Sequence, residues 1–377
     1  MSLTPAQIEA RELLAPIKFH QIFKLPATEK HAELKVSYAI AGPSDENAPT
    51  ILFVVGMLGI RWLAFSFDHV AMEEGVRMIF IDRPGFGGST SVPLQDRLPI
   101  YLETVPLLLK HLNIEHVSLA SHSAGTIYAL NIIATLPHII CPKRPRITLL
   151  SPWVHQNLSS TTFLQIASKL PNTMINHWGA VMNFVLNSAT PMIASSGSVF
   201  STLKSAFSAA VTGAPAHVAA EQKVREAYGV SKEIKKEMDS LIFKWAFLED
   251  TTGLNDEARL CLKKTDDCNW NACEDYEEMV ENLVELWTQR VERNQSARLD
   301  VKIYFAEEDI MIGEKGKEYF RNCWTSENWT ANIAVDCEQL KGTDHDSVLD
   351  PLRSLREIAK AARQTLDWRA NSDPCDK

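Results

Sequence analysis

The chain has 377 residues, with 38 Lys and Arg against 47 Asp and Glu, for a formal net charge of -9 and a pI near 5.7. Binding to nucleic acid or to anionic lipid rests on clustered basic side chains, so this balance argues against both as partners. The length suffices for one large domain or two with a sizeable core.

In chain order, residues 33–41 (ELKVSYAIA) predict a strand, followed by the turn-rich GPSDENAP. Residues 50–55 (TILFVV), 77–82 (RMIFID), 116–120 (HVSLA) and 146–152 (RITLLSP) are short apolar runs of the kind buried strands show. Helical patterns lie between them, around 62–74 and 99–112 and in GTIYALNIIAT, which Pro137 ends. Strands alternating with helices predict an α/β fold with a doubly wound, mostly parallel sheet.

The alternation stops at residue 153 and resumes at LDVKIYFA (299–306). The intervening residues read as helical. The expected organisation is therefore a core of residues 1–152 and 299–377, with a large helical cap, 153–298, inserted between two core strands. From Ile147 to Leu203 the only charged residue is Lys169. The later half is charged and amphipathic. Ile234, Met238, Leu241, Ile242 and Trp245 share one helical face, and Tyr276, Met279, Val280, Leu283 and Trp287 share another. Both stripes are expected to form the cap's own core. Asn172, Asn176, Asn183, Asn187 and Pro191 interrupt the uncharged half, leaving no apolar run of the about 20 residues that a bilayer requires, so no membrane span is expected.

The N-terminal MSLTPAQIEARELLAPIKF lacks a basic segment followed by an apolar one, and no signal peptide is expected. Seven cysteines are scattered, and the spacing of Cys261, Cys268 and Cys273 fits no zinc pattern. The expectation is a cytoplasmic protein with reduced thiols, no metal and no cofactor.

Five segments carry chemistry. Ser121-His122-Ser123-Ala124-Gly125 follows a strand and opens a helix, the context in which a serine hydroxyl is exposed on a sharp turn. His122 needs only a steric explanation there. VVGMLG (54–59) follows a strand and suits backbone N–H donors for a developing oxyanion. The two donors expected are Met57 and Ala124. Asp82-Arg83-Pro84-Gly85-Phe86-Gly87-Gly88 reads as a shaped loop, buttressed by Asp82 and Arg83. FAEEDIMIG (305–313) is a strand ending in an acidic tip, and KGTDHDSVL (341–349) places His345 in a loop before a helix. A serine nucleophile needs a base, and the base needs an orienting carboxylate. The order Ser123, Asp309, His345 meets both requirements; Asp309 is preferred over Glu307 and Glu308 by strand alternation and turn position.

Taken in order, GMLGIRW, RMIFIDRPGFGGST, SLASHSAG, FAEEDIMIG and GTDHDSVL resemble the α/β-hydrolase superfamily, and in particular fungal serine hydrolases of that fold. The resemblance covers residues 50–150 and 300–365. It implies the fold without implying a substrate; with Ser123, His345 and Asp309 the leading expectation is hydrolysis of a carboxylic ester or thioester through an acyl-enzyme. Acyl transfer, lactone or carbon–carbon cleavage in a secondary-metabolite pathway, and a non-catalytic binding protein on the same fold are the competing readings. Relatives that open epoxides or cleave carbon–halogen bonds use Asp as nucleophile, which Ser123 argues against. Val55 stands where relatives usually place His.

The composition of residues 153–203 predicts a neutral, largely apolar acyl substrate under the cap, with Trp153 and Trp178 as binding residues. The same apolar surface would also serve a homodimer.

Overall fold

A computed structural model of the chain describes residues 3–57, 59–159, 161, 214–265, 268–325 and 332–364. Trp178 and most of the uncharged segment lie outside them. The strands are β1 (Gln21–Leu25), β2 (Leu34–Ala41), β3 (Thr50–Val54), β4 (Arg77–Ile81), β5 (Ser118–His122), β6 (Arg146–Leu150), β7 (Leu299–Glu308) and β8 (Ile333–Asp344). They form one sheet in the order β1-β2-β4-β3-β5-β6-β7-β8. β1 and β2, and β2 and β4, pair antiparallel; every other pairing is parallel.

The central strands read as continuous apolar runs because both faces are covered, as crossover helices require. Along β3, Leu52 and Val54 join the core that contains Ile127 and Ile147, while Ile51 and Phe53 join the core that contains Phe67 and Ile358. β4 divides in the same way, with Ile79 and Ile81 on one side and Met78 and Phe80 on the other. The helices Gly125–Thr135 and Ala64–Glu74 supply opposite covers.

Several expectations shift. β5 starts two residues later than predicted and runs on to His122; Val117 makes only an isolated bridge to Ile140. β8 extends through Lys341–Asp344, which the sequence assigned to a loop. The insertion between β6 and β7 is helical where described: Gln156–Ser159, Ala214–Tyr228, Lys232–Leu248, Thr252–Cys261 and Tyr276–Glu292.

Its two stripes do not make a separate core. Tyr276, Met279, Val280, Leu283 and Trp287 join the core of β6 and β7, because that helix delivers the chain into β7 across the sheet's face. Met238, with Ile234, Leu241, Ile242 and Trp245, packs into the core that holds Ala10, Leu14 and Trp62; the Trp62 and Trp245 ring centres are 5.3 Å apart. Among the described residues no helix is long and apolar enough to cross a membrane.

Candidate active site

The carboxyl ends of β5, β7 and β8 converge, the end of a parallel sheet at which ligands of such folds bind. Ser123 follows β5 directly and has φ of 50°, a conformation that L-residues rarely adopt. Two neighbours hold the turn. The Ser123 N–H donates to Leu150 O (3.0 Å), and Ser123 O accepts from the Thr126 N–H (2.9 Å). Gly125 is required on steric grounds. A Cβ there would sit 2.2 Å from Val54 O and 2.6 Å from Val55 O, both backbone atoms.

The structure brings Ser123, His345 and Asp309 together. His345 Nε2 lies 2.8 Å from Ser123 Oγ, and His345 Nδ1 lies 2.9 Å from both Asp309 carboxylate oxygens. An ionised carboxylate only accepts, so Nδ1 carries the proton and Nε2 is free to accept from the serine hydroxyl. The Met311 and Ile312 N–H groups also donate to Asp309 Oδ1, at 3.0 and 2.9 Å. Glu307 and Glu308 are exposed, and Glu307 Oε2 accepts from the Gly342 N–H instead.

The electrostatics follow from this geometry. Burial alone would raise the Asp309 carboxyl, but His345 and the two backbone N–H groups hold it below its ordinary range. Burial alone would lower the His345 imidazole, but Asp309, Asp346 and Asp344 raise it above its ordinary value. His122 is pushed down to about 3 by burial and by the neighbouring His345, so it is neutral, and its Nε2–H donates to His345 O at 2.8 Å. Burial lifts the Asp346 carboxyl to about 6.

His122, His345 and Asp346 bring three donor atoms within 4.8 Å of one another. With both His345 nitrogens and His122 Nε2 already engaged, the formed triad leaves too few donors for a metal ion.

The loop after β3 borders the serine. A Cβ on Gly56 would lie 3.2 Å from Ser123 Cβ and 3.1 Å from His122 Nδ1. Among the described residues neither the Met57 nor the Ala124 backbone N–H has a hydrogen-bond acceptor. Arg83 Nη2 donates to Gly56 O and, at 3.4 Å, to Met57 O.

Trp153 is buried, and its indole N–H donates to Cys261 O at 3.3 Å. Its backbone N–H donates to Ser123 O at 3.3 Å and its carbonyl accepts from the Tyr276 hydroxyl at 2.9 Å. Trp153 is thus bonded both to the backbone of the serine turn and to the inserted segment, through Cys261 and Tyr276. From sequence His122 needs only a steric explanation; its hydrogen bond to the His345 carbonyl is what that reading misses. Its place beside Ser123 in the chain is the signal that could have flagged it.

No family model matches the chain. The dihydrolipoyllysine-residue acetyltransferase component of the acetoin cleaving system of Pseudomonas putida is 38% identical over 77 residues, 20% of this chain and 20% of that protein. The match thus spans about one fifth of the length of that curated relative. Solved structures match over nearly the whole chain. One is an α/β-hydrolase enzyme from a Medee basin deep-sea metagenome (15% identity, TM-score 0.52, covering 95% of this chain and 100% of that one). Another is an epoxide hydrolase from Vigna radiata (14%, TM-score 0.51, 94% and 100%). A third is a candidate lipase from Acinetobacter baumannii (14%, TM-score 0.54, 99% and 99%). With the mostly parallel eight-stranded sheet, these likenesses establish the α/β-hydrolase fold.

Proposed function

We propose that this chain is a serine hydrolase that cleaves a carboxylic ester or thioester through an acyl-enzyme. The observation that carries the reading is the continuous path from Ser123 Oγ to His345 Nε2 (2.8 Å) and from His345 Nδ1 to Asp309 (2.9 Å), on a serine held at φ of 50°. In this reading Ser123 Oγ attacks the acyl carbon and His345 Nε2 takes its proton. The carbonyl oxygen becomes an oxyanion that accepts from the Met57 and Ala124 N–H groups. As the carbon–oxygen or carbon–sulfur bond breaks, His345 returns the proton to the leaving alkoxide or thiolate. Water, deprotonated by the same imidazole, then releases the acid and restores Ser123. Asp309 holds Nδ1–H and stabilises the imidazolium formed in each half-reaction.

Epoxide opening, the activity of the Vigna radiata neighbour, is disfavoured by a serine at the elbow. The substrate is proposed to be neutral and largely apolar, because residues 147–203 contain Lys169 as their only charge and so offer little to pair with an anionic headgroup.

Reaction with a fluorophosphonate probe tests the chemistry. The probe should attach to Ser123, and attachment should vanish in Ser123→Ala. A chain-length series of neutral esters, set against short anionic ones, tests the substrate class. Absence of labelling in the folded wild type, together with no turnover of any ester or thioester, would overturn the hydrolase reading.

A further inference from the structure

The Gly56–Met57 peptide has one oxygen and one hydrogen, which point in opposite directions because the bond is trans. Fixing the Gly56 carbonyl therefore fixes where the Met57 N–H points. The group that fixes it is the Arg83 guanidinium, through Nη2. Arg83 is 1% exposed, and its hydrogen bonds among the described residues go only to Gly56 O and Met57 O. Among the described residues its Nε and Nη1 have no hydrogen-bond acceptor. The one guanidinium nitrogen of Arg83 that donates a hydrogen bond thus gives it to the loop after β3.

The charge of Arg83 is compensated from the inserted segment. Glu257, in the helix Thr252–Cys261, is 0% exposed, and its Oε2 lies 3.3 Å from Arg83 Nη1. The contact is an ion pair without hydrogen-bond alignment. The other carboxylate oxygen accepts from Arg97 Nη2 (2.7 Å), Arg97 Nε (3.2 Å) and the Tyr128 hydroxyl (2.6 Å). Burial alone would raise the Glu257 carboxyl, yet Arg83 and Arg97 hold it below its ordinary range, so it is ionised. The Tyr128 ring lies under the Arg83 guanidinium, 5.0 Å from ring centre to carbon.

The segment bearing Glu257 is itself tied to the core loop bearing Arg83. Gly253 N–H donates to Gly85 O (2.8 Å) and Gly87 N–H donates to Asp250 O (2.9 Å). Upstream, Glu249 accepts from Arg61 and from the Trp62 indole N–H (2.8 Å), residues that follow the Gly56 loop.

We propose that Arg83, held by Glu257 of the inserted helix, locks the Gly56–Met57 peptide with its N–H in the oxyanion-donating orientation. Arg83 and Glu257 are positioning residues: neither touches the reacting atoms. The inserted segment thereby sets the competence of the oxyanion site. The inference rests on the serine hydrolase reading above.

The test compares Arg83→Met, Arg83→Lys and Glu257→Gln with the wild type on a p-nitrophenyl ester, with binding of an alkyl boronic acid as a second readout. The boronic acid forms a tetrahedral adduct on Ser123 whose oxygen occupies the oxyanion position. Loss of one oxyanion donor should lower kcat of Arg83→Met on the order of 10²-fold. KM should stay within about threefold, because the interaction is made only in the transition state. Boronic acid affinity should fall in step with kcat, and the acid limb of the pH profile should stay in place, because Asp309 and His345 are untouched. Arg83→Lys should recover part of kcat, since its ammonium can still donate to Gly56 O. Glu257→Gln preserves shape and both arginines, and carries the test should Arg83→Met fail to fold. Folded variants with wild-type kcat and boronic acid affinity, or with a loss confined to KM, would overturn the lock. A folded wild type that fluorophosphonate leaves unlabelled and that turns over no ester or thioester overturns the hydrolase reading instead, so the two failures are told apart.

Discussion

His122, the residue before the nucleophile, donates its Nε2–H to the backbone carbonyl of His345, 2.8 Å away. A neutral imidazole with one hydrogen thus ties the strand that presents the serine to the loop that presents the base. Removing the donor leaves a buried carbonyl without a partner, at a cost of about 1–3 kcal/mol.

His122→Phe, which keeps the ring volume, should therefore lower the unfolding midpoint and reduce kcat by misplacing His345. His122→Gln retains an N–H and should recover part of both. Thermal denaturation and initial rates check this; a His122→Phe enzyme equal to wild type in both would show the bond to be incidental.

The triad variants separate chemistry from folding. Ser123→Ala should lose on the order of 10⁶ in kcat, as removal of the nucleophile does in subtilisin, with an unchanged melting temperature. Asp309→Asn should lose on the order of 10⁴ through the wrong imidazole tautomer. Glu308→Gln should behave as wild type, because Glu308 is exposed and His345 Nδ1 is bonded to Asp309 instead. A severe defect in Glu308→Gln would reassign the acid.

The pH profile follows from the charges around His345. A general base must be neutral, so activity falls as pH drops through its pKa. That pKa is raised above 6.5: burial opposes the rise, but Asp309, Asp346 and Asp344 outweigh it, and neutral His122 adds no charge. The acid limb should accordingly lie above 6.5. Asp346→Asn deletes one of the raising charges, so its limb should move to lower pH. A kcat/KM profile measured from acid to neutral pH reads both effects; a limb in Asp346→Asn at or above the wild-type position would refute the assignment.

How far this was legible in the sequence depends on the range of the interaction. The central strands announce themselves as apolar runs because both faces are buried, and Ser123, Asp309 and His345 stand at strand ends in chain order. β1 and β8 do not announce themselves: they are the sheet's two edges, and QIFKL and IAVDCEQLKGTD mix polar with apolar residues. The stripe from Tyr276 to Trp287 correctly marks a buried face, but periodicity does not say what covers it. Glu257 lay beyond reach because its partners are 160 residues away at Arg97 and 129 at Tyr128.

The last prediction concerns the tight entry of the chain into the helix after Ser123. A methyl group on Gly125 would meet two backbone oxygens, Val54 O at 2.2 Å and Val55 O at 2.6 Å. Backbone at the end of a central strand cannot swing aside as a long side chain can. Either β3 and the Gly56 loop move, or the helix Gly125–Thr135 lifts from the sheet. Overpacking of this kind typically costs about 1–3 kcal/mol, and rigid neighbours favour the upper end. The displaced atoms adjoin Gly56 and Ser123, so the folded fraction of Gly125→Ala should also be catalytically poor. Gly75→Ala is the control. It has φ of 66° but, among the described residues, nothing within 4 Å of the added methyl, so it tests conformation without collision. The left-handed conformation alone should cost about 1–2 kcal/mol, with kcat unchanged. Urea unfolding midpoints and kcat per folded molecule distinguish the two. Gly125→Ala with wild-type kcat would mean that the strand end yields without disturbing the loop, and that the close approach of helix and strand is not what sets the serine's position.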